Sequence, residues 1–320
     1  MATAGLDDIP LHPRRRLLGT ASGGATSIRR GGRSDTASSR PYRPGDHFRA
    51  IDWKSSARLS AARDDDEFIV RERHAEETPA VVLVVDRRRA MALYPPELPW
   101  LHKPAALRTA AQLLLRSAVN QRSLVAYLDF ATHPGESDAG VPYWRAPRAE
   151  ADAWRSSLRE GVDAFLGGDF DAPDDNLTRA FEFLASRRLA VPLGSFVFVL
   201  SDFIVAPPPE LLAQAVGRGW DVVPVIVQDP LWEQSFPQIE GVLISLADEN
   251  GENARRVRLG RREVAARRDA NEHRLASIRA GFARLDLESV VIGSSDTDRV
   301  HGALVDWAQL RLELARGGTR

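Results

Sequence analysis

The chain has no cysteine and only two lysines, Lys54 and Lys103. The first absence removes disulfides, thiolate nucleophiles and cysteine-ligated zinc or iron–sulfur centres. The second places nearly all positive charge on arginine, which suits bidentate pairing with carboxylates. Long apolar runs are missing too. Ala80–Val85 and Phe196–Leu200 fall far short of the ~20 residues that span a bilayer. The first 40 residues lack the apolar centre of a signal peptide. A cytoplasmic protein is the expectation. The net charge of −1 gives no global field toward nucleic acid or membrane. No G-K-[ST] follows the Gly-rich N-terminal stretch, and no G-x-G-x-x-G follows a strand, so neither common phosphate-binding loop is present. Gly194-Ser195 precedes a strand instead of sitting on a strand-to-helix elbow, which excludes the usual hydrolase nucleophile. The seven histidines are scattered without ligand spacing.

What is present belongs to a globular protein: 43% hydrophobic and 27% charged residues in a chain of 320. That length holds one large α/β domain with additions, or two smaller domains. Residues 1–40 combine paired glycines, many Ser and Thr, and basic clusters such as Arg14-Arg15-Arg16. They read as a flexible basic tail, part of which docks in extended form. Residues 41–78 hold a Pro44-Gly45 turn and a strand pattern within Glu67–Arg73. Residues 79–230 alternate strands and helices, and 231–320 continue the same theme as an extension of that domain.

The strand signals are Ala80–Val85, Ser123–Phe130, Ser195–Leu200, Asp221–Val227 and Ser289–Ile292. Helical spacing covers Pro104–Gln121, Ala149–Phe165, Leu177–Arg187, Pro209–Val216, Arg261–Arg284 and Asp296–Leu314. Gly241–Leu246 and Arg256–Leu259 read as a hairpin around Asn250-Gly251. Short β-branched strands alternating with helices predict an α/β, doubly wound, mostly parallel sheet.

Ligands of such sheets bind at the carboxyl ends of the strands. Two strands end there in aspartate, Asp86 and Asp202. Together they could hold Mg²⁺ or do acid/base work. The stronger reading is that they cap the following backbone or form structural ion pairs. The arginines after Asp86 favour ion pairing, because a nearby guanidinium repels a metal cation. Between Asn253 and Arg284 stand ten arginines against three acids. Only one aromatic residue, Phe282, accompanies them, so a solvated helix face is favoured over a nucleic-acid surface. Glu150–Glu182, with nine acids and three arginines, is the acidic complement. Such segregation favours recognition of a charged protein partner.

The run Arg40-Pro41-Tyr42-Arg43-Pro44-Gly45-Asp46-His47-Phe48-Arg49-Ala50-Ile51-Asp52-Trp53-Lys54-Ser55-Ser56-Ala57-Arg58 closely resembles the signature R-x-Y-x-P-G-D-x-x-R-x-I-D-W-x-x-S-A-R of the bacterial family called domain of unknown function 58. Val81–Met91 lies where that family has a strand ending in D-x-S-x-S-M. Ser201-Asp202-Phe203 matches its S-D-F, and Asp229–Pro237 resembles its D-P-x-E-x-x-x-P. The resemblance implies a von Willebrand factor A-like domain and a MoxR-type AAA+ ATPase partner, acting on a client protein in a chaperone-like or assembly role. Many members carry an N-terminal transmembrane pair, which this sequence does not show.

The resemblance also implies a Mg²⁺ site of the metal-ion-dependent adhesion type. Asp86 and Asp202 fit it. Arg88 and Ala90 replace its two serines, and Asn176 and Thr178 are both candidates for its threonine. The expectation is a degenerate site with no tightly bound metal and no cofactor, in which Arg88 pairs with Asp86 or Asp202. The signature residues Arg43, Gly45, Asp46, Arg49, Asp52, Trp53 and Arg58 are expected to form a collar, with Trp53 buried and arginines bridging carboxylates. The alternative makes this collar a docking surface for the ATPase. A non-catalytic adaptor therefore ranks first. A metal-dependent hydrolase using Asp86 and Asp202, and a nucleic-acid binder using Arg255–Arg284, rank behind it.

Overall fold

The computed structural model describes residues 7–13, 36–41, 51–53, 56–58, 68–73, 80–93, 101–121, 123–148, 167–186, 191–247 and 254–317. The chain groups into two compact units. One comprises Arg15–Thr78, the other Met1–Arg14 with Pro79–Arg320.

In the smaller unit β1 (Thr36–Pro41) pairs antiparallel with β2 (Ile69–Arg73), with a register shift between Thr36 and Ser38. Ile51, Asp52 and Ser56 are buried. The Asp52 carbonyl accepts hydrogen bonds from the Ser56 amide at 2.8 Å and its hydroxyl at 2.7 Å, which closes a helical turn. Trp53 does not have the buried place expected of it. It is 59% exposed, edge-on to the also exposed Phe68 at 5.8 Å. The reason is local: Ile51 and Asp52 turn inward where the helical turn begins, which leaves Trp53 on the outer side. Arg43, Gly45, Asp46 and Arg49 lie outside the described residues, as does the predicted helix Ala149–Phe165.

The larger unit is a mixed α/β fold around a mostly parallel six-stranded sheet. Its strands are β3 (Val81–Val85), β4 (Val125–Asp129), β5 (Tyr143–Arg148), β6 (Phe196–Ser201), β7 (Asp221–Val227) and β10 (Val290–Ile292), in the order β10-β7-β6-β3-β4-β5. Only β5 runs antiparallel to its neighbour. The sequence gives no strand signal at β5, because Tyr143-Trp144-Arg145-Ala146-Pro147-Arg148 has no apolar run and contains a proline. An edge strand tolerates both, since one side of it makes no ladder. Pro224 lies inside β7 for a related reason. The β10 ladder begins only at Val225, so the missing donor at Pro224 removes nothing from it.

Helices cover both faces of the sheet. Val81, Leu83 and Val85 share one core with α1 (Lys103–Asn120) and α5 (Thr297–Gly317). Val82 and Val84 share the other with α2 (Asn176–Ala185), α3 (Pro209–Gly217) and the last turns of α4 (Arg261–Arg284). Burial on both faces explains why the central strands read as continuous Val and Phe runs without alternation. At the end of β7 the hairpin β8 (Leu243–Ala247) and β9 (Ala254–Arg258) forms a separate two-stranded sheet. It packs through Ile244 and Val257 on Phe236, Leu259 and Val264. The α5 start is capped by Asp296, whose carboxylate accepts the Arg299 amide at 3.0 Å.

Residues 7–13, within the stretch whose composition reads as a tail, are bound to the large unit. The Gln121 side chain brackets their backbone: Nε2 donates to the Ile9 carbonyl at 2.7 Å, and Oε1 accepts from the Leu11 amide at 3.3 Å. The Ile9 amide donates to the Ser117 hydroxyl at 2.9 Å. Ile9 and Leu11 enter the same core as α1 and α5. This segment is thus part of the fold, and Ile9→Ala is expected to cost about 2 kcal/mol. Urea unfolding checks this; an unchanged midpoint would mean that the segment contributes nothing to stability.

Candidate functional site

The strand order locates the site. From β3 the chain steps outward to β4 and β5, then returns to the opposite side of β3 for β6, β7 and β10. The winding reverses between β3 and β6, and at that reversal a doubly wound sheet opens its ligand crevice at the carboxyl ends of the strands. Asp86 follows β3 there and Asp202 follows β6, and both are fully buried.

Arg88 joins them. Its Nε lies 3.1 Å from each oxygen of Asp86 and its Nη2 2.8 Å from Oδ2, a bidentate contact. The same Nη2 reaches Asp202 Oδ1 at 2.7 Å. Lys103, from the first turn of α1, donates to Asp202 Oδ2 at 2.9 Å and to Glu233 Oε1 at 2.5 Å. Three carboxylates and two cations thus form one chain: Asp86, Arg88, Asp202, Lys103, Glu233. Neutral donors complete it. Asn176 and Ser201 donate to Asp86 at 3.1 and 2.6 Å, and the Ile204 amide donates to Asp202 at 3.0 Å. The backbone at Phe203 has φ 54, a conformation unfavourable for a residue with a Cβ. The Ser201 hydroxyl accepts its amide at 3.0 Å, and its ring is held at 4.9 Å from Phe282.

Burial dictates this arrangement. An isolated charge out of water is costly, so each group must be met by an opposite charge or by donors. Burial works against the positive charge of Arg88 and of Lys103. The surrounding carboxylates outweigh it, and both pKa values are raised. Burial pushes the Asp202 carboxyl upward, but Lys103 and Arg88 more than reverse this and hold its pKa below the usual range. Glu233 is pushed the other way. Burial and the nearby Asp202 raise its pKa against the pull of Lys103.

These residues do not suit a divalent cation. The guanidinium of Arg88 occupies the space between the two aspartates, and both Asp202 oxygens are already held by fixed cations. Ala90 is buried and offers no oxygen. Among the described residues no cluster of three or more carboxylates or imidazoles is arranged to hold a metal. Lys103 and Glu233 were missed as partners of this site. One signal for Lys103 was its rarity: an ammonium in a chain that otherwise uses arginine. Glu233 stood in the Asp229–Pro237 stretch, where Asp229 also binds the Leu101 amide at 2.7 Å and so ties the loop to the start of α1.

A second buried cluster flanks the first. Arg87 Nε contacts Asp129 at 2.8 Å and the Tyr127 hydroxyl at 3.1 Å. Asp129 also meets His133 Nε2 at 2.9 Å, and the His133 ring stacks on Tyr143 at 3.5 Å. Arg87 donates to the Gly168 carbonyl at 2.5 Å, and a Cβ on Gly168 would lie 2.5 Å from His133. This cluster clamps the loops after β4 and before α2 onto the sheet edge. Successive arginines therefore divide the work: Arg87 holds Asp129, Arg88 holds Asp86 and Asp202, and Arg89 is exposed.

With this geometry in view, the comparisons fix the family. The model of the family described as protein of unknown function DUF58 matches residues 38–278, and the chain belongs to that family. Its fold is similar to that of BatB from Bacteroides thetaiotaomicron, at 13% identity and a TM-score of 0.37, over 72% of this chain and 99% of that one. An aerotolerance-related membrane protein from Bacteroides fragilis gives 14% identity and 0.37 over the same shares. The pilus adhesin SpaC from Lactobacillus rhamnosus GG gives 13% and 0.42 over 75% of this chain but 31% of its own length. No curated protein matches. Among the described residues no helix is long and apolar enough to cross a membrane.

Lys103→Met is expected to destabilise the protein by about 3 kcal/mol at neutral pH, because it leaves Asp202 and Glu233 buried with less compensation. A raised lysine pKa contributes stability that is complete below the unfolded value of about 10.4 and is lost as pH rises toward the folded one. The gap between wild type and Lys103→Met should therefore narrow above that pH. Urea titrations at neutral and alkaline pH check both points, and a gap independent of pH would contradict the assignment.

Proposed function

We propose that this chain is a non-catalytic adaptor with a von Willebrand factor A-like domain, working in the cytoplasm. Its proposed partner is a MoxR-type AAA+ ATPase, with which it acts on a client protein in a chaperone-like or assembly role. The partnership is what family membership implies. The non-catalytic part rests on one observation: Arg88 bridges Asp86 and Asp202 where the family pattern calls for a metal with hydroxyl ligands. In this reading Asp86, Arg88, Ala90 and Asp202 form a degenerate metal-ion-dependent adhesion site whose cation is built into the chain. The Asn176 amide, donating to Asp86, takes the place of a hydroxyl. The single antiparallel edge strand β5 and the aspartates ending two adjacent central strands support the domain type.

A built-in cation changes what the edge can do. A bound metal with an open position can take a partner's carboxylate as a further ligand. A fully buried guanidinium whose Nε and Nη2 are committed to two internal carboxylates cannot, and its remaining nitrogen, Nη1, is buried as well. Recognition then moves to the surrounding surface. Trp53 and Arg58 are both exposed, which favours the docking reading of the signature collar over a purely structural one.

Two experiments test this reading. Affinity capture from the native host, with and without ATP, should recover a AAA+ ATPase. Trp53→Ala should lower that recovery while the melting temperature stays within a few degrees, as for an exposed side chain. Capture of no ATPase would remove the adaptor reading. Separately, the melting temperature of the wild type should not respond to MgCl₂, whereas the double substitution Arg88→Ser with Ala90→Ser, which supplies two hydroxyls and removes the guanidinium, should become Mg²⁺-responsive. Tight Mg²⁺ binding by the wild type in calorimetry would refute the built-in cation.

A further inference from the structure

The arginines between Asn253 and Arg284 fall into two populations. One is structural. Arg268 donates to the Phe236 carbonyl at 3.1 Å and Arg274 to the Glu233 carbonyl at 3.1 Å, while Asn271 bonds the carbonyls of Trp232 and Ser235. These side chains tie α4 to the loop after β7, the loop that also carries Glu233. They explain how a helix with only Val264 and Phe282 fully buried stays in place.

The other population faces water. In the hairpin register Leu243 opposes Arg258 and Ser245 opposes Arg256. Directly opposed residues share a face. Ile244 and Val257 occupy the packed face, so Leu243, Ser245, Arg256 and Arg258 occupy the outer one, and all four are exposed. Leu243 is 61% accessible and Val242, just before it, 39%. Arg262 adjoins the hairpin in the first turn of α4 and is also exposed. Arg256, Arg258 and Arg262 form no ion pair among the described residues, whereas Arg261 beside them reaches Glu240 at 3.3 Å and Arg267 reaches Glu263 at 2.6 Å.

We propose that this outer hairpin face docks an extended acidic segment of a partner protein. Alternate residues on a strand face stand about 7 Å apart, the same spacing as same-side residues of an extended peptide. Acids at alternate positions would therefore meet Arg256 and Arg258 together, and an apolar residue beside them would cover Leu243. Single-stranded nucleic acid fits less well, because Phe282, the single aromatic residue of the arginine-rich segment, is buried and cannot stack on bases. A bilayer fits less well too, since Val242 and Leu243 offer little apolar area to insert. The inference rests on the hairpin alone and not on the carboxyl-edge site or on the identity of the ATPase.

The test uses the full chain and two fluorescein-labelled octapeptides, one alternating Glu and Leu, the other Lys and Leu, read by fluorescence anisotropy. The acidic peptide should bind saturably, more weakly as salt rises, and the basic one should not. Arg256→Glu with Arg258→Glu should lose about tenfold or more in affinity for the acidic peptide and gain binding of the basic one, as charge reversal at a complementary surface requires. Arg256→Lys with Arg258→Lys, which keeps the charge, should retain binding and so separates loss of charge from loss of fold. The proposal is overturned if the acidic peptide does not bind, if charge reversal leaves binding unchanged, or if oligo-dT or phosphatidylserine vesicles bind as well as the acidic peptide at physiological salt.

Discussion

Everything at the carboxyl edge follows from one requirement: two aspartates buried at the ends of adjacent strands must have their charge answered inside the protein. Arg88 answers both at once. It can do so because a guanidinium is planar and forked, so its Nε–Nη2 edge serves Asp86 bidentately while the second hydrogen of Nη2 turns to Asp202. A lysine at this position could supply the charge but not this geometry. Lys103 has the complementary task. Its compact ammonium fits between Asp202 and Glu233, where two single contacts suffice.

The network joins parts that are distant along the chain: β3, the start of α1, the end of β6 and the loop after β7. The Glu233 loop is in turn fastened to α4 by Arg274 and Asn271. A disturbance at Arg88 can thus reach the arginine-rich helix through fixed polar contacts, and also through Phe203, which packs on Phe282. The neighbouring Arg87–Asp129–His133 cluster holds the other side of the same edge. At the place where a doubly wound sheet opens a ligand crevice, the space between Asp86 and Asp202 is filled here by salt bridges.

Much of this was legible beforehand. The Val-rich strands, the described helices around them and the hairpin lie close to where periodicity places them, because burial on both faces leaves a direct mark on composition. Asp86 and Asp202 were legible as strand-terminal acids, and the signature around Ile51-Asp52-Trp53 pointed to the family. Other features left no such mark. The edge strand β5 needs no apolar run, so it produced none. That part of the N-terminal stretch docks in extended form was expected, but which part was not legible, because the docking of residues 7–13 depends on contacts with Ser117 and Gln121, more than a hundred residues away. Trp53 was expected to be buried on the strength of its size, but size does not say which side of a turn faces inward.

The sequence by itself determined the class of fold, the family and the acids at the strand ends, because these depend on local periodicity and on short contiguous motifs. Tertiary structure alone decided that Arg88 spans both aspartates, that Lys103 and Glu233 extend the chain of charges, and which arginines of α4 and the hairpin turn outward. The reason is physical. Charge pairing in a dry interior is settled by distances of about 3 Å between groups, and here Arg88 and Asp202, like Lys103 and Glu233, lie more than a hundred residues apart in the chain.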